Sequence, residues 1–367
     1  MQSNVSAHFT TPLLAWFDAY GRKALPWQQP KTPYRVYVSE IMLQQTQVKT
    51  VIPYFERFML QFPTIESLAS ASEDEVLSYW SGLGYYSSAR HLHRTAQLIM
   101  IQHHGTFPED LPSLQQLPGI GPSTAAAIAS LAFGQSVAIF DGNVKRVLSR
   151  YFLVESPLHE KKTEKILMAY ATACLSPSRC ADYTQAIMDL GALCCRPKQP
   201  DCQHCPLKTS CLAYQYNRME NLPTKIKKKP LPTKSLQFLL IHRPHSNQAE
   251  GHEIHLEKRP HNGIWGSLWC LPSLTLDESI AHYMQKNFDS PCPSVQLFLT
   301  LKHTFTHFHL EMTVYLVPFI DTTKQLSWFS QSHLRDLGLP KPISQILMQF
   351  FSSVTSDTMP RARVLKG

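Results

Sequence analysis

The spacing of apolar side chains changes from a helical to an alternating pattern near residue 235. Before this point apolar residues recur with the helical period. One helix is marked by Val48, Val51, Phe55 and Phe58, and others are predicted over residues 9–20, 64–80 and 90–102. Ser39 is a candidate N-cap of the helix that runs through Val48, which places Glu40 in its first turn. The pattern predicts an all-α domain.

After residue 235, short apolar runs with strand character alternate with turn residues. Strands are predicted over residues 238–241, 254–256, 295–301 and 308–319, and helices over 276–288 and 346–350. The fold class is therefore multi-domain: an all-α domain followed by an α/β domain. The predicted boundaries are 1–221 for the helical domain, 222–234 for a Pro- and Lys-rich linker, 235–352 for the α/β domain, and 353–367 for a flexible basic tail.

Composition narrows the range of partners. The 367 residues carry a formal net charge of +8, which favours an anionic partner such as nucleic acid. The N-terminus lacks the layout of a signal peptide, and Gly134, Gln135 and Ser136 interrupt the longest apolar run. We expect a cytoplasmic, nucleoid-associated monomer without a membrane segment. The nine cysteines there should stay reduced or bind metal.

Two glycines flank a bulky apolar residue in the run Leu117-Pro118-Gly119-Ile120-Gly121, and Pro122 follows. Gly119 and Gly121 permit a tight hairpin with free backbone amides. Pro122 suits the first turn of a helix. Free amides at a helix N-terminus form a seat for phosphate, although a simple turn between two helices explains the same residues.

Two carboxylates are candidates for acid–base and electrostatic catalysis. Glu40 lies among apolar residues, so burial would raise its pKa and let it donate a proton near neutral pH. Asp141 precedes a helix that begins near Asn143 and lies close in sequence to the glycine hairpin. Cleavage of a glycosidic bond needs an acid for the leaving group and an anion for the sugar cation. The competing explanations are a surface acid for Glu40 and an N-cap for Asp141.

Four cysteines near residue 200 have the spacing C-x6-C-x2-C-x5-C. They are Cys195, Cys202, Cys205 and Cys211. Four thiolates in a short loop indicate a metal centre, and an iron–sulfur cluster fits this spacing better than zinc, whose all-Cys sites more often use two C-x2-C pairs. A cluster in this loop would direct Arg196 and Lys198 towards phosphates.

These features together resemble the MutY-type adenine DNA glycosylases of the helix-hairpin-helix superfamily. The matching stretches are Ser39-Glu40-Ile41-Met42-Leu43-Gln44-Gln45-Thr46-Gln47-Val48, Gly82-Leu83-Gly84-Tyr85-Tyr86, Leu117-Pro118-Gly119-Ile120-Gly121, Asp141-Gly142-Asn143-Val144 and the four cysteines. The resemblance covers residues 10–220. It implies a base excision repair enzyme with a [4Fe-4S] cluster. Its partner would be double-stranded DNA that contains adenine mispaired with 8-oxoguanine or guanine.

The resemblance also implies roles for single residues. Glu40 would protonate adenine N7, Asp141 would stabilise the sugar cation, and Asn143 would support the site. Trp27 would line the adenine pocket, and Tyr85 would probe the base stack. The other residues expected to contact DNA are Leu43, Gln45, Thr46, Gly119, Gly121, Ser123 and Lys145.

Ser123 separates this chain from the bifunctional glycosylase/lyases of the superfamily, which carry lysine at that position. A Schiff base needs an amine, so the chain is expected to be monofunctional and to leave an abasic site. Lys145 is a possible minor source of strand nicking. The competing functions are a bifunctional enzyme similar to endonuclease III and an iron–sulfur DNA sensor without catalysis.

The C-terminal region resembles the MutT-like (Nudix-type) domain of the same glycosylases. Phe305, Thr306 and His307 match the loop that the family uses to recognise 8-oxoguanine, with threonine where serine is usual. The Nudix hydrolase signature needs a glutamate-rich helix to hold magnesium, but residues 276–288 offer only Asp277 and Glu278 near the start. The resemblance therefore implies binding rather than hydrolysis.

Overall fold

The computed structural model describes residues 6–224, 229–245, 251–289, 294–318, 326–355 and 363–365. The chain forms two compact units. The helical unit comprises Met1–Ser70 and His91–Lys228, and the sheet unit comprises Ala71–Arg90 and Lys229–Gly367. Among the described residues, no helix combines the length and the apolar character that crossing a bilayer requires.

The helical unit is built from short and medium α-helices. They are α1 (Thr11–Tyr20), α2 (Pro33–Leu43), α3 (Val48–Gln61), α4 (Ile65–Ser70), the greater part of α6 (Tyr86–His103), α7 (Leu111–Gln116), α8 (Pro122–Phe133), α9 (Gly142–Tyr151), α10 (Lys161–Ala173), α11 (Cys180–Asp189) and α12 (Leu212–Gln215). Helix α5 (Glu73–Trp80) belongs to the sheet unit. The small side chains of α8 are almost all buried, which lets α2 and α11 approach this helix closely.

The prediction that Ser39 caps a helix with Glu40 in its first turn is wrong. Helix α2 begins at Pro33, and its N-cap is Thr32, whose hydroxyl accepts a hydrogen bond from the amide of Arg35. A threonine followed by proline is the stronger start signal, because proline fixes a helical φ and needs no amide partner. Ser39 is buried and donates to the carbonyl of Val36. Glu40 therefore lies near the C-terminal end of α2.

The helix predicted over residues 64–80 is also divided. Helix α4 ends at Ser70, and Ser72 caps a new helix, α5, by accepting a hydrogen bond from the amide of Glu75. Three acidic residues in the first turn of α5 favour the positive end of its dipole. The glycine-rich loop predicted after this helix is present.

The predicted glycine hairpin joins α7 to α8. Gly119 has φ +76°, and a Cβ there would lie 2.8 Å from the Cβ of His91, so both the conformation and the space favour glycine. Helix α8 begins at Pro122 with Gly121 as its N-cap, and helix α9 begins after Asp141. These local predictions are confirmed.

The sheet unit contains a mixed sheet with strand order β8-β2-β1-β7-β6-β9, in which β5 also pairs with β1. The strands are β1 (Thr233–Pro244), β2 (His252–His255), β5 (Ser273–Leu274), β6 (Gln296–Thr304), β7 (His309–Pro318), β8 (Trp328–Ser330) and β9 (Arg363–Leu365). The small strands β3 (Glu257–Lys258) and β4 (Trp269–Cys270) form a separate pair. Strands β1 and β7 are parallel, whereas β6 and β7 form an antiparallel hairpin.

Successive side chains of β1 contact different helices, as the alternation along a strand requires. Ile241 joins a buried cluster with Met284 and Phe288 of helix α13 (Ile280–Phe288). The neighbouring His242 lies 5.2 Å, ring to ring, from Phe350 of helix α14 (Lys341–Thr355). The sheet is therefore covered on both faces, which is the layered α/β architecture that the strand and helix pattern predicts.

Several predicted segments fall partly outside the described residues. Linker lysines Lys225, Lys227 and Lys228 lie there, as do Arg361 and Lys366 of the predicted basic tail. Within that tail, residues 363–365 form strand β9, parallel to β6, which is a local departure from a flexible segment. Asp277 and Glu278 precede α13 rather than lying within it. The predicted domain boundaries stay a prediction.

Candidate active site

A cavity of about 830 Å³ in the helical unit is lined by all three predicted catalytic residues. The predicted residues that line it are Trp27, Glu40, Leu43, Thr46, Ser123, Asp141 and Asn143. The elements that supply them, including α2, α8 and the start of α9, are far apart in sequence. Gln45, Gly119, Gly121 and Lys145 are not among its described lining residues.

Asp141 is held by two hydrogen bonds at the start of α9. Its Oδ1 accepts from the amide of Val144 at 2.7 Å, and its Oδ2 accepts from the side-chain amide of Asn143 at 3.1 Å. The first bond is an N-cap, so the simple explanation of Asp141 is correct as far as it goes. The carboxylate also faces the cavity, and the cap fixes its orientation there.

Glu40 has the ionisation behaviour that a proton donor needs. Burial, together with a smaller effect of the negative charge of Asp141, raises the pKa of its carboxyl from 4.5 to about 7. The two carboxyl groups therefore sense each other across one cavity. At neutral pH a large fraction of Glu40 is protonated, while its partner is oriented by backbone and amide donors.

Arg146 connects this site to the loop that carries the first predicted cluster ligand. The buried guanidinium donates to Asn143 Oδ1 at 2.8 Å, to the carbonyl of Gly191 at 2.7 Å and to the carbonyl of Cys195 at 2.8 Å. A Cβ on Gly191 would lie 2.6 Å from the Cβ of Asn143. The close approach of these segments therefore depends on the absence of a side chain at residue 191.

The sequence analysis missed Arg22 and Gln185, which also line the cavity. Asp189 is fully buried and accepts from the Arg22 guanidinium at 2.6 Å and from the Gln185 amide at 2.9 Å. The pairing spans 167 residues, so no local pattern identifies it. One signal was present: Gln185 and Asp189 lie four residues apart in an otherwise apolar stretch of α11.

The four predicted cluster ligands line one small cavity in the helical unit. They are Cys195, Cys202, Cys205 and Cys211. The buried guanidinium of Arg150 donates to Cys195 Sγ at 3.3 Å and to the carbonyl of Arg196 at 2.7 Å.

The donor set of this cavity fits a [4Fe-4S] cluster. Four cysteines are part of its lining, and in a cubane cluster each of four thiolates binds a different iron, so that the sulfurs surround a volume. A donor such as Arg150 that contacts a ligand sulfur is also typical of such clusters.

The remaining predicted residues of the helical unit have other environments. Trp27 is buried and packs edge-on against Phe55, so it contributes to the core and to the cavity wall. Lys145 forms an ion pair with Glu164, 2.9 Å from Nζ to Oε1. Gln45 is exposed, as are Gly119 and Gly121 of the hairpin.

The sheet unit carries the two predicted lesion-reading segments. Tyr85 is 41 % exposed and has φ +49°. Phe305 lies in the turn between β6 and β7, stacked on Phe308 with 4.5 Å between ring centroids. Thr306 and His307 are exposed at the tip of this turn, with 3.2 Å between the threonine hydroxyl and His307 Nδ1.

The comparisons with known proteins agree with this architecture. Residues 38–172 match the HhH-GPD superfamily of base excision DNA repair proteins, and residues 247–349 match the NUDIX domain. Adenine DNA glycosylase of Buchnera aphidicola subsp. Schizaphis graminum is 39% identical over 93% of this chain and 98% of its own length. The human protein of the same name is 34% identical over 84% of this chain and 66% of its own length.

Among solved structures, a thermostable thymine-DNA glycosylase is similar to the helical part. It matches with a TM-score of 0.54 and 26% identity over 58% of this chain and 98% of that one. An endonuclease III–DNA complex matches over 59% of this chain and 98% of that one, with a TM-score of 0.50, and shares the fold at 18% identity. On the similarity of sequence along nearly its whole length, the chain belongs to the adenine DNA glycosylase family of base excision repair enzymes.

Proposed function

We propose that this protein hydrolyses the N-glycosidic bond of adenine paired with 8-oxoguanine or guanine in double-stranded DNA. The product would be an abasic site, without strand cleavage. One observation carries the proposal: Glu40 and Asp141, 101 residues apart by number, line one cavity, and burial raises the pKa of Glu40 to about 7. Adenine would have to leave the duplex to enter this cavity.

The proposed reaction divides the work between the two carboxyl groups. Glu40 gives its proton to N7 of adenine, so that the base leaves with the electrons of the C1′–N9 bond. Asp141 stabilises the positive charge that develops on the sugar. Water then adds to C1′ and gives its proton to the Glu40 carboxylate, which restores the acid. Asn143 and the Val144 amide keep the Asp141 carboxylate in place, because each donates to one of its oxygens.

The proposal that the enzyme is monofunctional, without lyase activity, rests on the positions of the amines near the cavity. Ser123 lines the wall where the lyases of the superfamily have lysine. The Lys145 amine is paired with Glu164. Lys49 is the lysine among the described lining residues, and it lies in the first turn of α3. None of these observations provides a desolvated amine of the kind that forms Schiff bases.

The four cysteines would hold a [4Fe-4S] cluster with a structural role. The cluster would supply rigid ligation of the loop between Cys195 and Cys202. Arg150 would support it, because its guanidinium binds Cys195 Sγ and the carbonyls of Arg196 and Pro197. The loop would then present its cations near the DNA backbone.

The proposal is tested by single-turnover release of adenine from duplexes with adenine opposite 8-oxoguanine, guanine or thymine. We expect fast release from the first duplex, slower release from the second and none from the third. Equal rates on all three would contradict the mispair specificity. Borohydride trapping tests the monofunctional mechanism, and a high yield of trapped complex that is lost in Lys49→Gln or Lys145→Gln would refute it.

The lesion-recognition role of the β6–β7 turn is tested by Phe305→Ala. We expect this change to weaken the preference for 8-oxoguanine more than it slows release at saturating enzyme. Leu276→Ala is the matched control, because Leu276 is an apolar residue of the same unit that is 63% exposed. An equal loss of preference and rate would contradict the assignment.

A further inference from the structure

The loop that carries Tyr85 is anchored within the sheet unit. Gly82, Gly84 and Tyr85 all have positive φ, at 94°, 84° and 49°, so the loop turns sharply and leaves the Tyr85 ring exposed. The indole of Trp80 donates to the carbonyl of Gly84 at 2.9 Å. The loop is therefore fixed to the end of helix α5.

One backbone carbonyl holds both flanks of this loop. The carbonyl of Leu339 accepts from the Ser81 hydroxyl at 2.9 Å and from the Tyr86 hydroxyl at 2.9 Å. The Tyr86 hydroxyl in turn accepts from the amide of Gly82 at 3.3 Å. Tyr86 thus links the loop backbone to the segment before α14.

The segment that provides this carbonyl is itself held tightly. A Cβ on Gly338 would lie 2.8 Å from the Cβ of Leu77 and 3.1 Å from Leu268, so no side chain fits there without displacement. The Gly338 carbonyl accepts from the amide of Trp269, in β4, at 3.0 Å. The anchor point is therefore part of the folded unit and not a free loop.

A second connection leads from helix α6, which follows the Tyr85 loop, towards the turn of residues 305–307. The guanidinium of Arg90 donates to the carbonyl of Gly266. A Cβ on Gly266 would lie 2.1 Å from the carbonyl oxygen of His261, so this turn admits only glycine. The adjacent Trp265 lies 5.7 Å, ring to ring, from Phe305. Arg90 and Phe305 therefore contact neighbouring residues of one rigid turn.

We propose that Ser81, Tyr86 and Arg90 are positioning residues that hold the Tyr85 loop in a fixed geometry relative to the 305–307 turn. The two segments would then contact the duplex together, and the base opposite adenine would be accepted only if both segments contact the mispair at the same time. This inference rests on the proposed function, because it needs Tyr85 and Phe305 to contact the mispair. It adds that the discrimination between lesion and undamaged base depends on hydrogen bonds remote from DNA.

The test compares Ser81→Ala/Tyr86→Phe with wild type in three measurements. They are the single-turnover rate at saturating enzyme, the dissociation constants for a non-hydrolysable adenosine opposite 8-oxoguanine and opposite guanine, and amide hydrogen exchange over residues 82–86. Each lost hydrogen bond contributes modestly, so we expect the ratio of the two dissociation constants to fall by about tenfold. The saturated rate should change by less than about twofold, and exchange should accelerate. Tyr20→Phe and Ser87→Ala are matched hydroxyl deletions at exposed positions.

A double-mutant cycle separates positioning from a general loss of stability. If the two segments recognise the mispair jointly, the effects of Tyr86→Phe and Phe305→Ala on the ratio of the two dissociation constants should be less than additive. Additive effects, or an unchanged ratio with unchanged exchange, would overturn the inference while wild type still releases adenine. Failure of wild type to release adenine opposite 8-oxoguanine would instead refute the proposed function, and the inference with it.

Discussion

Replacing Glu40 by glutamine tests the central electrostatic argument in two independent ways. Glutamine keeps the shape and a hydrogen-bond donor but cannot ionise or transfer a proton. For the wild type, the pKa of Glu40 is 4.5 in an exposed reference and about 7 in the folded protein. The variant removes both the proposed proton donor and the free energy that is linked to this difference.

The size of this stability difference follows from the linkage between proton binding and folding. Below about pH 4.5 the folded and unfolded states both hold the proton; between 4.5 and about 7 only the folded state holds it, and stability falls as the pH rises. Above about pH 7 this loss of folding stability is complete. At about 1.4 kcal/mol for each tenfold change in proton affinity, the loss amounts to about 3 kcal/mol. Glutamine does not ionise and therefore does not lose this stability, so Glu40→Gln should be more stable than wild type at alkaline pH.

The assay is urea unfolding of the full chain, followed by tryptophan fluorescence, at about pH 5 and about pH 8. Because part of the stability is already lost at about pH 5, wild type should lose about 2.5 kcal/mol more than Glu40→Gln between the two conditions. Glu56→Gln is the matched control, because Glu56 is exposed on α3. Identical pH dependence in wild type and Glu40→Gln would refute the raised pKa.

The same variant should lose most of its base release. A positioned general acid typically contributes about 100- to 10,000-fold, so a loss in this range is expected in single-turnover experiments. The wild-type rate should fall as the pH rises through about 7, because the ionised carboxylate has no proton to donate. A rate that instead increases through this range would contradict the role of Glu40 as an acid.

Three further predictions test the surrounding framework. Asp141→Asn should keep duplex affinity and fold, because asparagine is an equally good N-cap, but release should fall by about 1,000-fold or more in single-turnover assays; retained release would contradict the electrostatic role. Gly191→Ala should slow release by about tenfold without weakening DNA binding, because the new methyl group would displace Asn143. Gly142→Ala is the control, because a methyl group at residue 142 meets open space. Arg150→Met should destabilise the cysteine loop, because the buried guanidinium donates to three carbonyls and to the sulfur of Cys195. The iron content and visible absorbance of the purified protein should fall; unchanged iron content would argue against an iron–sulfur site.

Local signals in the sequence were sufficient for elements whose start or turn chemistry is encoded in a few adjacent residues. Pro122 after Gly121 begins helix α8 as predicted, and Asp141 caps α9, which the sequence offered as the competing explanation of this residue. The prediction that Ser39 is an N-cap failed, because Thr32 followed by Pro33 is the stronger local start signal. The helix therefore begins earlier, and Glu40 lies near its C-terminal end.

The sequence by itself determined the chemistry that is available: two carboxyl groups in unusual contexts, four cysteines with cluster spacing, a glycine hairpin and a change of hydrophobic period. Only the tertiary structure decided which of these meet. Glu40 and Asp141 share one cavity, Arg22 and Gln185 join it through the buried Asp189, and the Tyr85 segment groups with the C-terminal sheet despite its N-terminal position. The physical reason is that burial, desolvation and long-range hydrogen bonds depend on distances in space, which residue order does not specify.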